Sequence, residues 1–229
     1  MSARAEKSQK ILETLKQNIE SFQKMLSAID DELTKQNVLR SIVLFSCSGI
    51  DAIVKQLILE ALEFVIERDK GAQEQFKLYV KRKLKKDHEK DYSLLTDLFT
   101  AKNSRKFLVN MLKNELSFDS LQSSEQLFKV ASYFNISTNK LVGKDHEGIL
   151  NKAFSTRNKI VHQMDVAFEK SSIEYYKHDI KEVNEIYDTI IVVAQKYINE
   201  VNQILEKQVT QEYLPSFTVN NDTLEIRID

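Results

Sequence analysis

The chain has 229 residues, of which 42% are hydrophobic and 29% charged, with 4 Gly, 1 Pro and a formal net charge of −1. This length is enough to bury a full hydrophobic core, and so few helix-breaking residues favour an all-α protein over one rich in turns. The near-neutral charge excludes a uniformly basic nucleic-acid-binding chain, so any affinity for RNA must come from a local patch.

The first two helices are predicted from apolar residues at helical spacing. They predict a first helix over 8–29 and a long second helix over about 34–68, whose length is typical of the central helix of an antiparallel bundle. Residues 72–120 predict two or three shorter helices. Ser123 precedes Gln126 at the spacing of a capping box and predicts a helix that ends near Asn135.

The C-terminal half predicts two more helices. Asp145 is expected to cap the first of them. Ser171 and Glu174 have the spacing of a second capping box, which predicts a long last helix ending near Lys207. After Pro215 apolar residues alternate on both sides of a turn, which predicts a small β-hairpin over 216–229. The chain is thus expected to be a single helical domain over 1–229, with its core over about 36–207.

A soluble, cytoplasmic protein is expected. The single cysteine, Cys47, excludes an internal disulfide framework and suits a reducing compartment, and its apolar neighbours predict a packing role. The first ten residues lack the apolar core of a signal peptide. Polar and charged residues interrupt the most apolar region, 50–66, so no membrane span is expected there.

The stretch over 155–165, STRNKIVHQMD, places three polar side chains at the end of a predicted helix. Arg157 falls within an apolar stripe, and an unpaired buried guanidinium is costly, so a partner is expected. Asn158 and His162, four residues apart, share a neighbouring face. The helix therefore presents a cation, an amide and an imidazole side by side. The apolar stripe is formed by Leu150, Ala153, Phe154, Val161 and Met164.

Periodicity alone leaves two interpretations of these residues open. In the first, Arg157 makes a structural ion pair and His162 interacts with the C-terminus of its helix, which favours cations. In the second, both side chains belong to a catalytic site.

Arg157-Asn158-x-x-x-His162, late in a helical bundle and just before a loop and a long last helix, resembles the signature of the HEPN superfamily. An acidic residue followed four positions later by lysine on an early helix is a second element of that family, and Asp51 and Lys55 are similar to it. The resemblance covers residues 36–205. It implies a dimeric helical bundle, and many HEPN proteins are metal-independent ribonucleases of toxin–antitoxin and antiviral systems.

Asp51 also interrupts an apolar stripe, between Cys47 and Val54. Two opposite charges on apolar faces of different helices would each be costly alone, whereas together they can form a buried bridge. We therefore expect Asp51 to contact Arg157 or to hold its surroundings in place.

RNA can be cleaved without a metal when its own 2′-hydroxyl attacks the adjacent phosphate. This reaction needs a base, an acid and a cation beside the phosphate. His162 suits the acid–base role and Arg157 the phosphate, while Asn158 is expected to orient the histidine or to bind the phosphate. No cofactor is expected, and no His, Cys or Glu cluster has the spacing of a zinc site.

A dense basic run in the middle of the chain is expected to be either a solvated helix face or a track for RNA phosphates. Tyr79, within it, is expected to be available for stacking on a base. The other histidines, His88, His146 and His178, are expected to be solvated surface residues. The basic run comprises Lys77, Lys81, Arg82, Lys83, Lys85 and Lys86.

The sequence therefore predicts a HEPN-type endoribonuclease that acts as a toxin or antiviral effector. Its expected partners are an RNA substrate, a second copy of the chain and an antitoxin or other inhibitor. The alternative is a non-catalytic helical interaction module, or an RNA-binding scaffold, within a defence or regulatory complex.

Overall fold

A computed structural model describes residues 5–88, 92–118, 120–121, 123–167 and 174–206. The protein is all-α, as predicted, and residues 72–120 contribute three of its shorter helices. The C-terminal hairpin predicted over 216–229 lies outside the described residues. In chain order the helices are α1 Glu6–Leu26, α2 Glu32–Arg68, α3 Lys70–His88, α4 Ser93–Thr100, α5 Ser104–Phe118, α6 Ser124–Tyr133, α7 Thr138–Leu141, α8 Lys144–Gln163 and α9 Ile180–Glu206.

The long helix α2 forms the centre of the bundle, because its buried side chains are distributed all round its circumference. Helix α1 packs against it in the antiparallel direction. The ring of Phe22 meets that of Phe45 edge-on with centroids 5.2 Å apart, and at the other end of α1 Ser8 Oγ donates to the carbonyl of Ile53 at 3.4 Å.

Helix α9 runs parallel to α2 along most of its length. Near the start of α2, Gln36 Nε2 donates to the carbonyl of His178, just before α9, at 3.2 Å. At the far end, Arg68 Nη1 donates to the carbonyl of Leu205 at 2.7 Å. The core of the protein therefore lies between α1, α2 and α9.

Helix α8 packs against the first half of α2 in the antiparallel direction. Cys47 Sγ lies 3.7 Å from the carbonyl oxygen of Ala153, whereas Arg40, two turns earlier, reaches Asp165 beyond the end of α8. The end of α8 therefore lies beside the N-terminal third of α2.

The connection from α8 to α9 differs from the prediction. Glu174, expected in a capping box with Ser171, lies in the strand β2 Glu174–Tyr175, which pairs antiparallel with β1 Val166–Ala167. Ser171 lies outside the described residues. Helix α9 begins only at Ile180, because Asp179 Oδ1 accepts the backbone N–H of Lys181 at 2.8 Å and caps it there.

One helix among the described residues, α2, is long and apolar enough to cross a membrane by length and composition. Its most apolar window of 18 residues has a mean hydropathy of 1.8. Half of its apolar window is buried inside the bundle, as is typical of the core helix of a soluble domain.

Candidate active site

Helix α8 carries Arg157, Asn158 and His162 at its C-terminal end. Arg157 Nη1 donates to Asn158 Oδ1 at 2.9 Å, so the amide holds the guanidinium of the residue before it. Arg157 and Asn158 are half-buried and His162 is exposed. The structure thus places the three side chains on the last two turns of one helix, as the sequence predicted.

The apolar stripe of α8 is shorter than expected, which explains how Arg157 is tolerated. Val161 and Met164 are 45% and 74% exposed, so the buried part of the stripe ends at Phe154. Arg157 therefore lies at the border of the core, where its stem packs and its charged end reaches water. It does not need the buried counter-ion that the sequence predicted.

The predicted bridge between Asp51 and Arg157 is not formed within the described part of the chain. Asp51 Oδ2 lies 3.0 Å from Lys55 Nζ, and Asp51 Oδ1 accepts the backbone N–H of Leu121 at 2.8 Å. Asp51 lies one turn after Cys47 on α2, and Arg157 lies one turn after Ala153 on α8. Because the two helices are antiparallel, these turns lead away from the Cys47–Ala153 contact in opposite directions. Asp51 and Arg157 are thus separated by about 12 Å along the axes.

The charge of Arg157 acts instead on Cys47. Burial raises the pKa of the Cys47 thiol to about 12, and the positive charge of Arg157 lowers it only in part. Such a thiol stays protonated near neutral pH and is a poor nucleophile. The structure therefore supports the packing role predicted for Cys47.

A buried polar cluster, which the sequence analysis missed, lies directly after the site helix. The carboxylate of Asp165 is 1% exposed, and its Oδ2 lies 2.8 Å from Arg40 Nε and 2.6 Å from His178 Nε2. Arg40 Nη2 also donates to the carbonyl of Tyr176 at 2.8 Å, and the Tyr176 N–H donates to the carbonyl of Asp165 at 3.0 Å. We call Arg40, Asp165 and His178 the Asp165 cluster; it ties the end of α8 to α2 and to the segment that enters α9.

The Asp165 cluster corrects one expectation. His178, expected to be a solvated surface residue, has a side chain that is 11% exposed and faces a buried carboxylate. The sequence contains a sign of this cluster on α2, since Arg40 is the one charged side chain between Gln36 and Ile50. Arg40 thus interrupts an apolar stretch of α2 in the same way as Arg157 interrupts that of α8, and a buried partner is expected for it too.

The sequence model of the RiboL-PSP-HEPN family matches residues 5–207. The chain belongs to the RiboL-PSP-HEPN family. The HEPN resemblance carried by Arg157, Asn158 and His162 is thereby confirmed, and the match also includes α1, which the resemblance had left out. No curated protein and no solved structure matches the chain.

In this HEPN chain the basic run lies on α3, away from the end of α8. Helix α6 lies between them: Ser124 Oγ donates to Asn151 Oδ1 on α8, and at the other end Arg82 Nη2 donates to the hydroxyl of Tyr133 at 2.9 Å. The nine steps from Ser124 to Tyr133 span about 14 Å. The basic run and the motif of α8 therefore lie on two helices that α6 connects.

The stacking role predicted for Tyr79 is wrong. Its side chain is 2% exposed, and its hydroxyl donates to Glu115 Oε2 at 3.1 Å. Burial, and then the charge of Glu115, raise the pKa of the Tyr79 hydroxyl. Lys83 Nζ also binds Glu115 Oε2, at 2.6 Å, so this part of the basic run is engaged within the fold.

The other basic side chains of α3 divide into two groups. Lys77 Nζ pairs with Glu74 Oε1 at 3.1 Å. Three lysines of the basic run are exposed and remain the best candidates for phosphate contacts: Lys81, Lys85 and Lys86. Across the described residues, no group of three or more His, Cys, Asp or Glu side chains is placed to hold a metal ion.

Proposed function

We propose that this HEPN protein is an endoribonuclease that cleaves RNA without a metal ion and acts as a toxin or antiviral effector in the cytoplasm. The observation that carries the proposal is the gathering of Arg157, Asn158 and His162 at the open end of α8, in a chain of the RiboL-PSP-HEPN family. Asn158 and His162, four residues apart, are neighbours on the surface of α8, and Asn158 holds the guanidinium of Arg157 beside them.

The proposed reaction is attack of the RNA 2′-oxygen on the adjacent phosphorus. A base removes the 2′-hydroxyl proton, the bond from phosphorus to the 5′-oxygen breaks, and an acid protonates the departing oxygen. The products are a 2′,3′-cyclic phosphate and a 5′-hydroxyl. His162 transfers the proton, and Arg157 neutralises the charge that builds on the phosphate oxygens.

In this proposal Asn158 acts on Arg157. Because its Oδ1 accepts the Arg157 Nη1 proton at 2.9 Å, the amide fixes one edge of the guanidinium. The remaining N–H groups of Arg157 can then meet a phosphate with little loss of side-chain freedom. Asn158 is thus a positioning residue for Arg157 rather than for His162.

We further propose that the active form is a homodimer. Cleavage uses an acid and a base, whereas each chain contributes one exposed motif histidine, His162. A two-fold interface would bring two copies of the motif to one cleft. Val161 and Met164, exposed on either side of His162, are apolar side chains that such a contact would cover. An inhibitory partner is expected to bind the same face.

The proposal is tested by incubating RNA with purified wild type, His162→Ala and the control His146→Ala, in the presence of a chelator. His146 lies in the first turn of the same helix, so its loss should leave cleavage unchanged. His162→Ala should lower the rate by about 10²- to 10⁴-fold. Wild-type products should carry 5′-hydroxyl ends. If His162→Ala cleaves as fast as wild type, His162 is not the catalytic residue. If no RNA is cleaved, the chain is a non-catalytic module.

A further inference from the structure

Tyr176, which follows the strand β2, presents an exposed aromatic ring beside the site helix. The side chain is 39% exposed, and its ring centroid lies 5.1 Å from Lys159 Nζ. Lys159 belongs to α8 and lies between Asn158 and His162 in sequence. Because residues three apart on a helix are neighbours, the Lys159 ammonium and His162 share one side of α8.

The backbone that carries this ring is held on both sides by the Asp165 cluster. The Tyr176 N–H donates to the carbonyl of Asp165 at 3.0 Å, and its own carbonyl accepts Arg40 Nη2 at 2.8 Å. The preceding residue, Tyr175, pairs with Val166 in β1. The ring therefore has a fixed place relative to the end of α8, and a surface that is already ordered loses little entropy on binding.

Tyr175 differs from Tyr176 in the side to which it points. Successive residues of an extended strand point to opposite faces, and the ring of Tyr175 lies over the guanidinium of Arg40, with 5.8 Å between Cζ and the centroid. Lys159 is the cation beside Tyr176, and Arg40 is the cation beside Tyr175. Tyr176 is therefore the ring on the side of the site helix.

An exposed aromatic ring next to a lysine is the combination that binds single-stranded nucleic acid, since the ring stacks on a base and the cation meets the adjoining phosphate. Bases within an RNA duplex are already stacked on their neighbours and cannot offer a free face. Tyr79 cannot stack on a base in this way, because its ring is buried.

We propose that Tyr176 and Lys159 form a stacking subsite for an unpaired nucleotide next to the scissile phosphate. This inference rests on the proposed function, because both require RNA to bind at the C-terminal end of α8. It adds two residues outside the motif that recognise the substrate, Tyr176 and Lys159.

Binding is measured in a His162→Ala background, so that cleavage does not interfere. The probe is a short single-stranded RNA carrying a fluorescent adenine analogue, and both anisotropy and quenching by stacking are recorded. Tyr176→Leu should weaken binding by about 5- to 150-fold, the effect of one lost base-stacking contact, and should abolish the quenching. Tyr176→Phe keeps the ring and should bind like the parent.

Tyr175→Leu is the matched control, since it removes a neighbouring exposed ring on the other side, and its binding should stay within about two-fold of the parent. A fully paired RNA should bind weakly to all variants alike. Thermal melting of each variant checks that the fold is intact. Equal single-strand binding by Tyr176→Leu and the parent, with the quenching retained, would overturn the subsite.

The two proposals fail separately. If wild type cleaves RNA and Tyr176→Leu has no effect on binding, the nuclease stands and the subsite is wrong. If wild type binds single-stranded RNA through Tyr176 but does not cleave it, the subsite stands and the nuclease is wrong.

Discussion

At the scale of single residues, the side chain on which the site region depends is the carboxylate of Asp165. It is 1% exposed, and its backbone has a φ of 58°, a left-handed conformation that Asp tolerates better than most residues. Met164 before it is also left-handed, with a φ of 50°. The contacts with Arg40 and His178 offset the cost of this turn, which directs the chain from α8 into β1.

Removing either partner of the Arg40–Asp165 pair should be strongly destabilising. Arg40→Met or Asp165→Asn should each lower the free energy of unfolding by about 3–5 kcal/mol, because the other group stays buried without its partner. The double variant should recover part of the loss. Urea unfolding measures the free energy of unfolding of the two single variants and of the double variant.

The ion pair of Lys140 and Glu200 provides the control for that experiment, since the Lys140 side chain is 57% exposed. Lys140→Met should cost no more than about 1 kcal/mol. If Arg40→Met costs no more than Lys140→Met, the Asp165 cluster does not stabilise the fold.

The thiol of Cys47 should be unreactive in the native protein. Burial raises its pKa to about 12, so the thiolate is scarce at pH 8, and reaction with a disulfide reagent should be at least about 100-fold slower than in the urea-unfolded chain. Absorbance of the released thiol measures the rate. Fast native labelling would show that Cys47 is accessible and that the packing between α2 and α8 opens readily.

At the scale of elements, the closeness of α1 to α2 depends on Gly49. A Cβ atom at this position would overlap the methyl groups of Leu15, which is itself buried. The absence of a side chain therefore sets the distance between the two helices, and the ring contact of Phe22 with Phe45 one turn away follows from it.

Gly49→Ala should destabilise the protein by about 1–3 kcal/mol, because the added methyl group overpacks the contact with Leu15. Gly148→Ala is the matched control: it lies within α8, and an added Cβ would meet no atom within 4 Å. That substitution should raise stability by about 0.5–1 kcal/mol through helix propensity. Thermal unfolding of both variants gives the comparison, and destabilisation of equal size at the two positions would contradict the packing argument.

The second prediction at this scale concerns RNA binding by helix α3. Replacing the three exposed lysines of the basic run, Lys81, Lys85 and Lys86, with Gln should reduce the slope of log K against log salt by about 2 for single-stranded RNA if each meets one phosphate. Replacing Lys7, Lys10 and Lys24 of α1, which are equally exposed, is the charge-matched control and should leave the slope unchanged. An unchanged slope in the α3 variant would remove this helix from RNA binding.

At the scale of the whole molecule, the proposed dimer follows from counting catalytic groups. Mixing Arg157→Ala protomers with His162→Ala protomers gives heterodimers that retain one copy of each side chain. Their activity should therefore differ from that of either mutant homodimer if the cleft is composite. Cleavage assays of the mixture and of each variant alone measure this. A monomer by light scattering that cleaves RNA at the full rate would contradict the proposal.

By itself, the sequence determined the helical class, the central place of α2 and the segment that bears Arg157, Asn158 and His162. Apolar spacing, caps such as Ser123 and the scarcity of Gly and Pro are local properties, so they can be read without knowing which helices meet. The family motif is local as well, because its three side chains lie within six residues of one helix.

The tertiary structure alone decided which charges are paired. Periodicity shows that Asp51 and Arg157 interrupt apolar faces, but it does not show the direction in which α8 crosses α2, and the antiparallel packing separates the two charges. Arg40 and Asp165 are 125 positions apart and meet only because α8 ends beside the start of α2. The same packing buries Tyr79 and leaves Tyr176 exposed, since exposure depends on which neighbouring helix covers a face.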